Sequence, residues 1–269
     1  MNAPAWKRAR TDECARVEAG ADGEHGVDLS LDENHAAGNA PRGEMPRVVP
    51  LASSAPGVRL WWTELHATRS QLRYCESVLS DGERARATRY GLELLRDRYV
   101  IGRASLRRVL GRTLGVAPAD VPIIRGQRGR PRLGGETRLD FNISHTGDVA
   151  IVGTSNNARV GVDIERVDRR INVAGIARKF LTENERASIA PLDPDTGRRT
   201  VLELWTCKEA MSKATGDALT APFACLDVDL RGGPKLRSGP EPYLPDRWSL
   251  HAAIVPDAYI ATIAVWRRS

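Results

Sequence analysis

The segment ARVGVDIERV alternates with a period of two, which is typical of a β-strand with two unlike faces. Apolar residues at every second position from Val160 to Ile164 require a core. The opposite face carries Gly161, Asp163 and Glu165, with the carboxylates about 7 Å apart along the strand. Like charges at that range repel unless water or a cation lies between them. A solvated face is one interpretation, but Gly161 predicts cleared space beside Asp163 and favours a cation site.

A second acidic position lies in LELWTCKEAMSKATG, which predicts a helix ended by Gly216. Helical spacing places Trp205, Lys208, Glu209, Ser212 and Lys213 on one face. The chain has 40 Lys and Arg residues, yet only five are lysines, and two of these flank Glu209.

The three carboxylates predict a Mg²⁺ site, because Mg²⁺ prefers hard oxygen ligands and takes further ligands from substrate phosphate. The predicted metal ligands are Asp163, Glu165 and Glu209. A lysine ammonium is a compact point charge that binds phosphate. Lys208 and Lys213 are therefore predicted to bind the oxygens of a phosphate or pyrophosphate substrate.

Composition limits the possible settings of this chemistry. The net charge of +6 favours an anionic partner, such as nucleic acid, a phosphorylated ligand or an acidic protein. No apolar run approaches the roughly 20 residues of a membrane span, and the N-terminus lacks the apolar stretch of a secretory signal. The four cysteines are scattered, which favours reduced thiols and a cytoplasmic protein.

The chain divides into three predicted parts. Residues 1–57 are rich in polar residues and proline without periodicity, and we expect a mostly disordered tail. Residues 58–158 and 159–269 each offer strands and one long helix. This pattern predicts an α+β fold of two similar lobes.

Several local signals set element boundaries. Ser80 with Glu83, and Thr182 with Glu185, have the spacing of capping boxes. The segment from about Leu92 to Leu114 is predicted as a helix stopped by a glycine. VAIVGTS and ARVGVDIERV are predicted to pair as a hairpin around Asn156-Asn157, and Pro191 and Pro194 mark a loop.

Two basic features could bind an anion. Arg89, Arg96 and Arg103 are seven residues apart on the long helix, where a solvated basic face is the alternative. The loop Arg128 to Pro131 places two arginines around a glycine, which suits close approach to phosphate. In FNISHTG, we expect Ser144 and His145 in a tight turn, either as ligand contacts or as a capping serine beside a solvent-facing histidine. No G-x-S-x-G motif supports a Ser-His hydrolase.

Four of these motifs in order carry a family resemblance: GRP (129–131), FNISHTG (141–147), GVDIE (161–165) and WTCKEAMSKATG (205–216). Together they resemble the signature of the Sfp-type 4'-phosphopantetheinyl transferases over residues 58 to 266. The family often has Lys where Arg130 stands and Ser where Thr146 stands. Both departures keep the charge or the hydroxyl group.

The resemblance implies two pseudosymmetric α/β lobes with the active site in the cleft between them. It implies transfer of phosphopantetheine from coenzyme A to a serine of an apo acyl or peptidyl carrier protein, an acidic helical bundle. It further implies Mg²⁺ on the pyrophosphate and Glu209, Lys208 and Lys213 as catalytic residues. The implied coenzyme A contacts are Arg128, Gly129, Arg130, Pro131, Ser144, His145, Asp163, Lys208 and Lys213, to which the long helix adds Arg96 and Arg103.

Two other function classes remain open from the sequence. Another Mg²⁺-dependent enzyme acting on a nucleotide diphosphate would use the same carboxylates, although no P-loop or G-x-G-x-x-G is present. A nucleic-acid-binding protein would account for the charge, but no common nucleic-acid-binding motif is visible. The expected protein is a monomer without a membrane or nucleic-acid partner.

Overall fold

The computed structural model describes residues 45–126 and 128–267. Two sheets, each packed against one 22-residue helix, confirm the predicted α+β fold. Among the described residues, no helix has the length and apolar character needed to cross a membrane.

The first lobe is built on an antiparallel sheet in the order β1-β2-β6-β5. Helix α3 packs against it through Leu106, Val109 and Leu110, which are buried with Phe141 of β5 and Val152 of β6. Its elements are β1 (Val48–Leu51), β2 (Val58–Glu64), α1 (Arg69–Ser77), α2 (Asp81–Ala87), α3 (Glu93–Leu114), β3 (Ile123–Arg125), β4 (Pro131–Leu133), β5 (Asp140–Thr146) and β6 (Val149–Ser155).

The second lobe is built on an antiparallel sheet in the order β10-β11-β7. Helix α6 lies very close to β7, since a Cβ added to Gly161 would stand 1.9 Å from the carbonyl oxygen of Ala210. Gly161 therefore admits the helix rather than clearing space beside Asp163. The elements are β7 (Arg159–Arg166), α4 (Val173–Phe180), α5 (Glu183–Ile189), α6 (Pro194–Thr215), β8 (Asp227–Asp229), β9 (Lys235–Ser238), β10 (Trp248–Ala252) and β11 (Tyr259–Trp266).

Local end signals were predicted well. Ser80 and Thr182 each form the expected capping box. Helices α3 and α6 end at Gly115 and Gly216, whose φ angles of +70° and +88° favour glycine. Pro194 is not a loop residue, however. It is the first residue of α6, where its missing N–H costs no hydrogen bond.

The predicted hairpin of β6 and β7 is wrong, because these strands belong to different sheets. Instead, β5 and β7 lie side by side and are joined by side chains. Asp140 and Asn142 accept hydrogen bonds from the backbone N–H groups of Val160 and Val162, at 2.8 and 3.0 Å. Further along the same face, Ser144 bonds to Asp163 and Thr146 to Glu165. We call this row the interlobe joint.

The predicted tail extends too far toward the C-terminus. Residues 1–44 lie outside the described residues, but residues 45–57 contain β1, which pairs with β2. Met45 is buried in the first lobe, and the Pro46 carbonyl accepts a hydrogen bond from Arg108. Proline-rich composition concealed a short edge strand, where proline is tolerated.

Truncation tests this boundary. We expect a variant that begins at Met45 to melt close to the full chain. A variant that begins at Ala55 loses β1 and the Arg108 contact, and should melt several degrees lower. Thermal denaturation followed by circular dichroism measures the difference. Equal melting temperatures for the two truncations would show that β1 contributes nothing to the stability of the lobe.

Candidate active site

A cleft of about 970 Å³ lies where the two lobes meet. The alternation of β7 buries Val160, Val162 and Ile164 between the sheets and turns Asp163 and Glu165 toward this cleft. Glu209 reaches it from α6. The structure thus brings the three predicted carboxylates to one cavity, from two elements that Gly161 allows to pack closely.

Asp163 has one satisfied and one unsatisfied oxygen. Its Oδ1 accepts hydrogen bonds from Ser144 Oγ at 2.8 Å and from Lys213 Nζ at 2.5 Å. Lys213 Nζ also donates to Ser144 Oγ at 2.8 Å. Asp163 Oδ2 is buried and has no hydrogen-bond partner. Since buried polar atoms are normally paired, this oxygen is poised for a ligand.

The surroundings of Glu165 and Glu209 disfavour the ionised form of each carboxyl group and so raise both pKa values. Burial and then the charge of Asp163 raise the pKa of Glu209 to about 7, although Lys213 acts in the opposite direction. Burial and Asp163 also raise the pKa of Glu165, which is ion-paired with Arg169 and accepts a hydrogen bond from Thr146 at 3.2 Å. Within the described residues, no group donates a hydrogen bond to the Glu209 carboxylate.

These donors fit a hard divalent cation. The described residues contain no ready-made group of three His, Cys, Asp or Glu ligands. Mg²⁺ does not need one, because it is commonly bound by one or two carboxylates together with water and substrate phosphate. The unpartnered Asp163 Oδ2 and the raised pKa of Glu209 identify these two carboxylates as the residues best suited to hold it.

The raised pKa of Glu209 predicts a pH-dependent stability. Between its ordinary value of 4.5 and about 7, folded protein holds a proton on Glu209 that the unfolded chain has released. Wild-type stability should therefore fall as pH rises through this window. In chelator, Glu209→Gln should melt above wild type by a margin that grows from pH 5 to pH 8, measured by calorimetry. Glu203→Gln on the same helix is the control, and a margin independent of pH would contradict the assignment.

Cationic side chains line the remainder of the cleft. Helix α3 presents Leu95, Arg98, Tyr99, Gly102 and Arg103, and the guanidinium Nε of Arg98 is buried without a partner. Further arginines come from α2, β3 and the segment that follows β7. The arginines that sequence reasoning missed are Arg86, Arg98, Arg125 and Arg169.

Arg89 does not lie on α3, which begins at Glu93, and the spacing of seven residues does not follow the side of this helix that faces the cleft. Residues 95, 98, 99, 102 and 103 form the face of α3 toward the cleft, a stripe with helical spacing that the sequence displays. Arg96 lies outside this stripe and is ion-paired with Glu76 of α1. Arg103 lines the cleft, but Glu83 already accepts two hydrogen bonds from it, at 2.9 and 2.6 Å.

A second, open pocket of about 530 Å³ adjoins the cleft and shares Gly82, Arg86, Tyr90 and Arg125 with it. Arg89 is the additional lining residue. Two of these arginines, Arg86 and Arg125, therefore face both spaces, so an anionic ligand in the cleft could extend into this pocket.

Lys208 does not reach the cleft, contrary to prediction. Its Nζ is fully buried, ion-paired with Glu185 at 2.8 Å and bonded to the carbonyls of Phe223 and Leu226 at 2.7 and 2.5 Å. Burial lowers the pKa of Lys208, and Glu185 opposes that shift. A phosphate cannot reach this ammonium without unpacking α5 and α6.

The arginines of the GRP region also contact protein groups. Arg128 is largely exposed and ion-paired with Asp217. Arg130 is buried and bidentate to Asp140 at 2.8 and 2.7 Å, and it also donates to the carbonyl of Lys213. It thereby fixes the C-terminal turn of α6 to the first lobe. Gly129 and Pro131 line the cleft.

Ser144 and His145 lie within β5, not in the turn, which follows at Gly147. Ser144 is buried on the interlobe joint and His145 points to the other side of the strand, and both residues line the cleft. Partial desolvation of the ring, followed by the charge of Lys213, lowers the pKa of His145, although the residue is exposed to solvent. The imidazole is therefore neutral at pH 7 and offers one N–H donor.

Both lobes match models of one protein family. Residues 62–157 match the N-terminal 4'-phosphopantetheinyl transferase model, and residues 159–264 match the 4'-phosphopantetheinyl transferase superfamily model. The 4'-phosphopantetheinyl transferase HetI of Nostoc sp. strain PCC 7120 is 31% identical over 226 residues, which cover 82% of this chain and 92% of the relative. The chain belongs to the 4'-phosphopantetheinyl transferase family.

Other relatives align over shorter stretches. The 4'-phosphopantetheinyl transferase AcpT of Escherichia coli O157:H7 is 36% identical over 45% of this chain and 58% of its own length. A holo-(acyl-carrier-protein) synthase from Bacillus anthracis, solved with coenzyme A (3',5'-ADP), is 25% identical over 42% of this chain, with a TM-score of 0.34. The predicted family and enzyme class are confirmed, and this transferase holds its three acidic candidates in the half that matches the superfamily model.

Proposed function

We propose that this transferase moves 4'-phosphopantetheine from coenzyme A to a serine of an apo acyl or peptidyl carrier protein and releases 3',5'-ADP, with Mg²⁺ as cofactor. One observation carries the proposal. A buried, unpartnered oxygen of Asp163 and a carboxylate with a raised pKa, Glu209, face a cleft lined with arginines. This arrangement suits a metal-bound pyrophosphate with further anionic groups along the ligand.

The bound Mg²⁺ would supply Lewis-acid stabilisation of charge on the pyrophosphate oxygens. Asp163 and Glu209, joined by Glu165, would hold it. Lys213, oriented by Ser144 and Asp163, would donate to a phosphate oxygen near the leaving group. The neutral His145 and the arginines of the cleft wall would donate hydrogen bonds to the remaining phosphate oxygens.

In the proposed reaction, the hydroxyl oxygen of the carrier serine attacks the β-phosphorus of coenzyme A. The bond from that phosphorus to the bridging oxygen breaks, and the bridging oxygen leaves with 3',5'-ADP. Glu209, directly or through a water, takes the serine proton. Lys213 stabilises the charge on the departing phosphate. Positioning and electrostatics supply most of the acceleration.

The size of an ammonium explains the choice of lysine at 213. Its Nζ fits between Ser144 Oγ and Asp163 Oδ1, two atoms on different lobes, at 2.8 and 2.5 Å. A planar guanidinium would need a wider space and a different set of acceptors. Ser144 of the first lobe thus contributes one acceptor and Asp163 of the second lobe the other.

Transfer itself is tested with a fluorescent coenzyme A, Mg²⁺ and a purified apo carrier protein. Mass spectrometry should show phosphopantetheine on the carrier serine, and chelator should prevent its addition. Release of 3',5'-ADP without carrier modification would instead support another Mg²⁺-dependent enzyme of nucleotide diphosphates. Undiminished transfer in excess chelator would remove the metal from the proposal.

Recognition of the 3'-phosphate yields a separate prediction. That group distinguishes coenzyme A from 3'-dephospho-coenzyme A. In the proposed complex, Lys213 and the Mg²⁺ held by the carboxylates would bind the pyrophosphate, so the 3'-phosphate needs other partners. His145→Ala and Arg86→Ala should each lose about ten- to a hundredfold in kcat/KM with coenzyme A, the value of one charge-assisted hydrogen bond. With the dephospho substrate they should lose little.

Steady-state kinetics on both substrates decide the point. Arg96→Ala is the control, because Arg96 lies off the cleft. Equal losses on both substrates would place His145 with the reaction centre instead.

The cellular setting remains part of the proposal. Cys75 and Cys207 are buried thiols outside any disulfide, in keeping with a reducing cytoplasm. We also expect a monomer, because each lobe contributes its part of the cleft within one chain.

A further inference from the structure

Two arginines connect the β3–β4 pair of the first lobe to the end of α6 in the second lobe. Arg130, just before β4, donates through Nε to the carbonyl of Lys213 at 2.7 Å. Arg128 is ion-paired with Asp217, which directly follows Gly216 at the end of the helix. Gly216 lies against both arginines, since a Cβ added to it would stand 3.2 Å from the Cβ of Arg130 and 3.8 Å from that of Arg128. The β3–β4 pair is therefore tied to the helix that carries Lys213.

Asp217 is held from the second lobe by a buried aromatic stack. Tyr243 is fully buried and donates its hydroxyl to Asp217 Oδ2 at 2.6 Å, while Arg128 donates to Oδ1. The Tyr243 ring stacks on Trp248 with centroids 5.4 Å apart, and Trp248 stacks on Trp266 at 5.6 Å. Burial and the hydrogen bond to Asp217 raise the pKa of Tyr243, so the phenol keeps its proton. One carboxylate oxygen thus binds a buried donor of its own lobe, and the other binds an arginine of the first lobe.

The backbone beside Asp217 has an unfavourable conformation. Ala218 has a φ angle of +50°, and among the described residues it is the one residue other than glycine with a positive φ. A residue with a Cβ adopts this region only where surrounding contacts impose it, and such residues are frequent at functional sites. Thr220 donates to the Asp217 carbonyl from its hydroxyl at 2.6 Å and from its backbone N–H at 3.0 Å. The turn therefore holds Asp217 in one position toward Arg128.

The β3–β4 pair forms part of the cleft wall. All three residues of β3 line the cleft, including Arg125, which also lines the open pocket beside it. Gly129, next in sequence to Arg128, lines the cleft as well, and Lys213 lines it from the second lobe. The contact between Arg128 and Asp217 therefore sets the spacing between Arg125 and Lys213, two cations that the proposed function assigns to different phosphate oxygens of the ligand.

We propose that Asp217 and Tyr243 are positioning residues, which hold Arg128 and with it the β3–β4 wall in the place where coenzyme A binds. The identity of the ligand rests on the proposed function. If Arg128 bound phosphate directly, Asp217 would compete with coenzyme A for its guanidinium, and removing the carboxylate would strengthen coenzyme A binding. If Asp217 positions the wall, removing its charge weakens that binding. The two roles of Arg128 therefore predict changes of opposite sign.

The test compares Asp217→Asn and Tyr243→Phe with wild type in steady-state transfer to a purified apo carrier protein. The KM for coenzyme A should rise about tenfold in Asp217→Asn and by less in Tyr243→Phe, while kcat stays within about twofold of wild type. Arg128→Gln combined with Asp217→Asn should raise KM no further than Asp217→Asn alone, because both changes remove one contact. Asp229→Asn is the matched control, since Asp229 is also paired with arginines, but with those of the β8–β9 pair in its own lobe.

Hydrogen exchange followed by mass spectrometry separates this proposal from the proposed function, because it needs no ligand. The backbone amides of β3 and β4 should exchange faster in Asp217→Asn than in wild type, which supports the positioning role even if wild type transfers nothing. Unchanged exchange there overturns the proposal, as does a KM for coenzyme A that is unchanged or lower. If Asp217→Asn does not fold, Tyr243→Phe is subject to the same criteria.

Discussion

Asp163→Asn is expected to reduce transfer by at least about a thousandfold while the protein stays folded. Asparagine keeps an oxygen that can accept from Ser144 and Lys213, so the joint between the lobes is retained. It replaces the unpartnered Oδ2 by an amide group and removes the negative charge with which Asp163 would hold the proposed Mg²⁺. Lower repulsion on Glu209 and Glu165 offsets the weakened contact with Lys213.

Initial rates with coenzyme A and apo carrier, together with thermal melts, check this prediction. Asp195→Asn, an exposed position in the first turn of α6, is the matched control and should keep both values. A rate within tenfold of wild type would show that Asp163 serves only to orient Lys213. A large fall in melting temperature would show that the carboxylate is needed for folding.

Lys208→Met is expected to cost about 3–5 kcal/mol of unfolding free energy, because it leaves Glu185 as a buried charge without its cation. Two carbonyl groups also lose their donor. For a chain of this size, the melting temperature should fall by roughly 10 °C. Lys235→Met, at an exposed position of β9, should change it by little.

Denaturant titration gives the free energy directly. A second variant, Lys208→Met with Glu185→Leu, should recover part of the loss, because no unpaired buried charge remains. Wild-type stability in Lys208→Met combined with loss of coenzyme A binding would contradict the burial of this side chain and return it to the cleft.

The two lysines around Glu209 show what the sequence can and cannot specify. Helical spacing correctly placed Trp205, Glu209 and Lys213 on one stripe, and the structure directs them all to the cleft. The same spacing also placed Ser212 on that face, where it is buried, and Lys208, which is buried as well. Its burial depends on α5 and the segment before β8, which pack there from other parts of the chain. Long-range packing of that kind leaves no local trace in the sequence.

For the strands, too, features that depend on local residues were predicted correctly, whereas contacts between distant residues were not. The alternation of β7 is a property of its own residues, so its two faces were predicted correctly. The pairing of β7 was not predicted correctly, because the Asn156-Asn157 link permits both a hairpin and a change of sheet. Arg130 is a comparable case. The residues next to Arg130 in the sequence predicted that it approaches phosphate. In the structure its guanidinium instead donates hydrogen bonds to Asp140 and to the Lys213 carbonyl, which are distant in the sequence.

The interlobe joint has a consequence for how sequences of this fold can change. Asp140, Asn142, Ser144 and Thr146 attach one sheet to the other through side chains alone, and the last two of these contacts are made to the acidic residues of the cleft. The side chains of the interlobe joint therefore lie in one row of alternating positions, and two of them also contact the acidic residues of the candidate site. A substitution at Ser144 or Thr146 that loosens this joint also removes a hydrogen bond from an acidic residue of the cleft, so the packing of the two halves and the geometry of the candidate site change together.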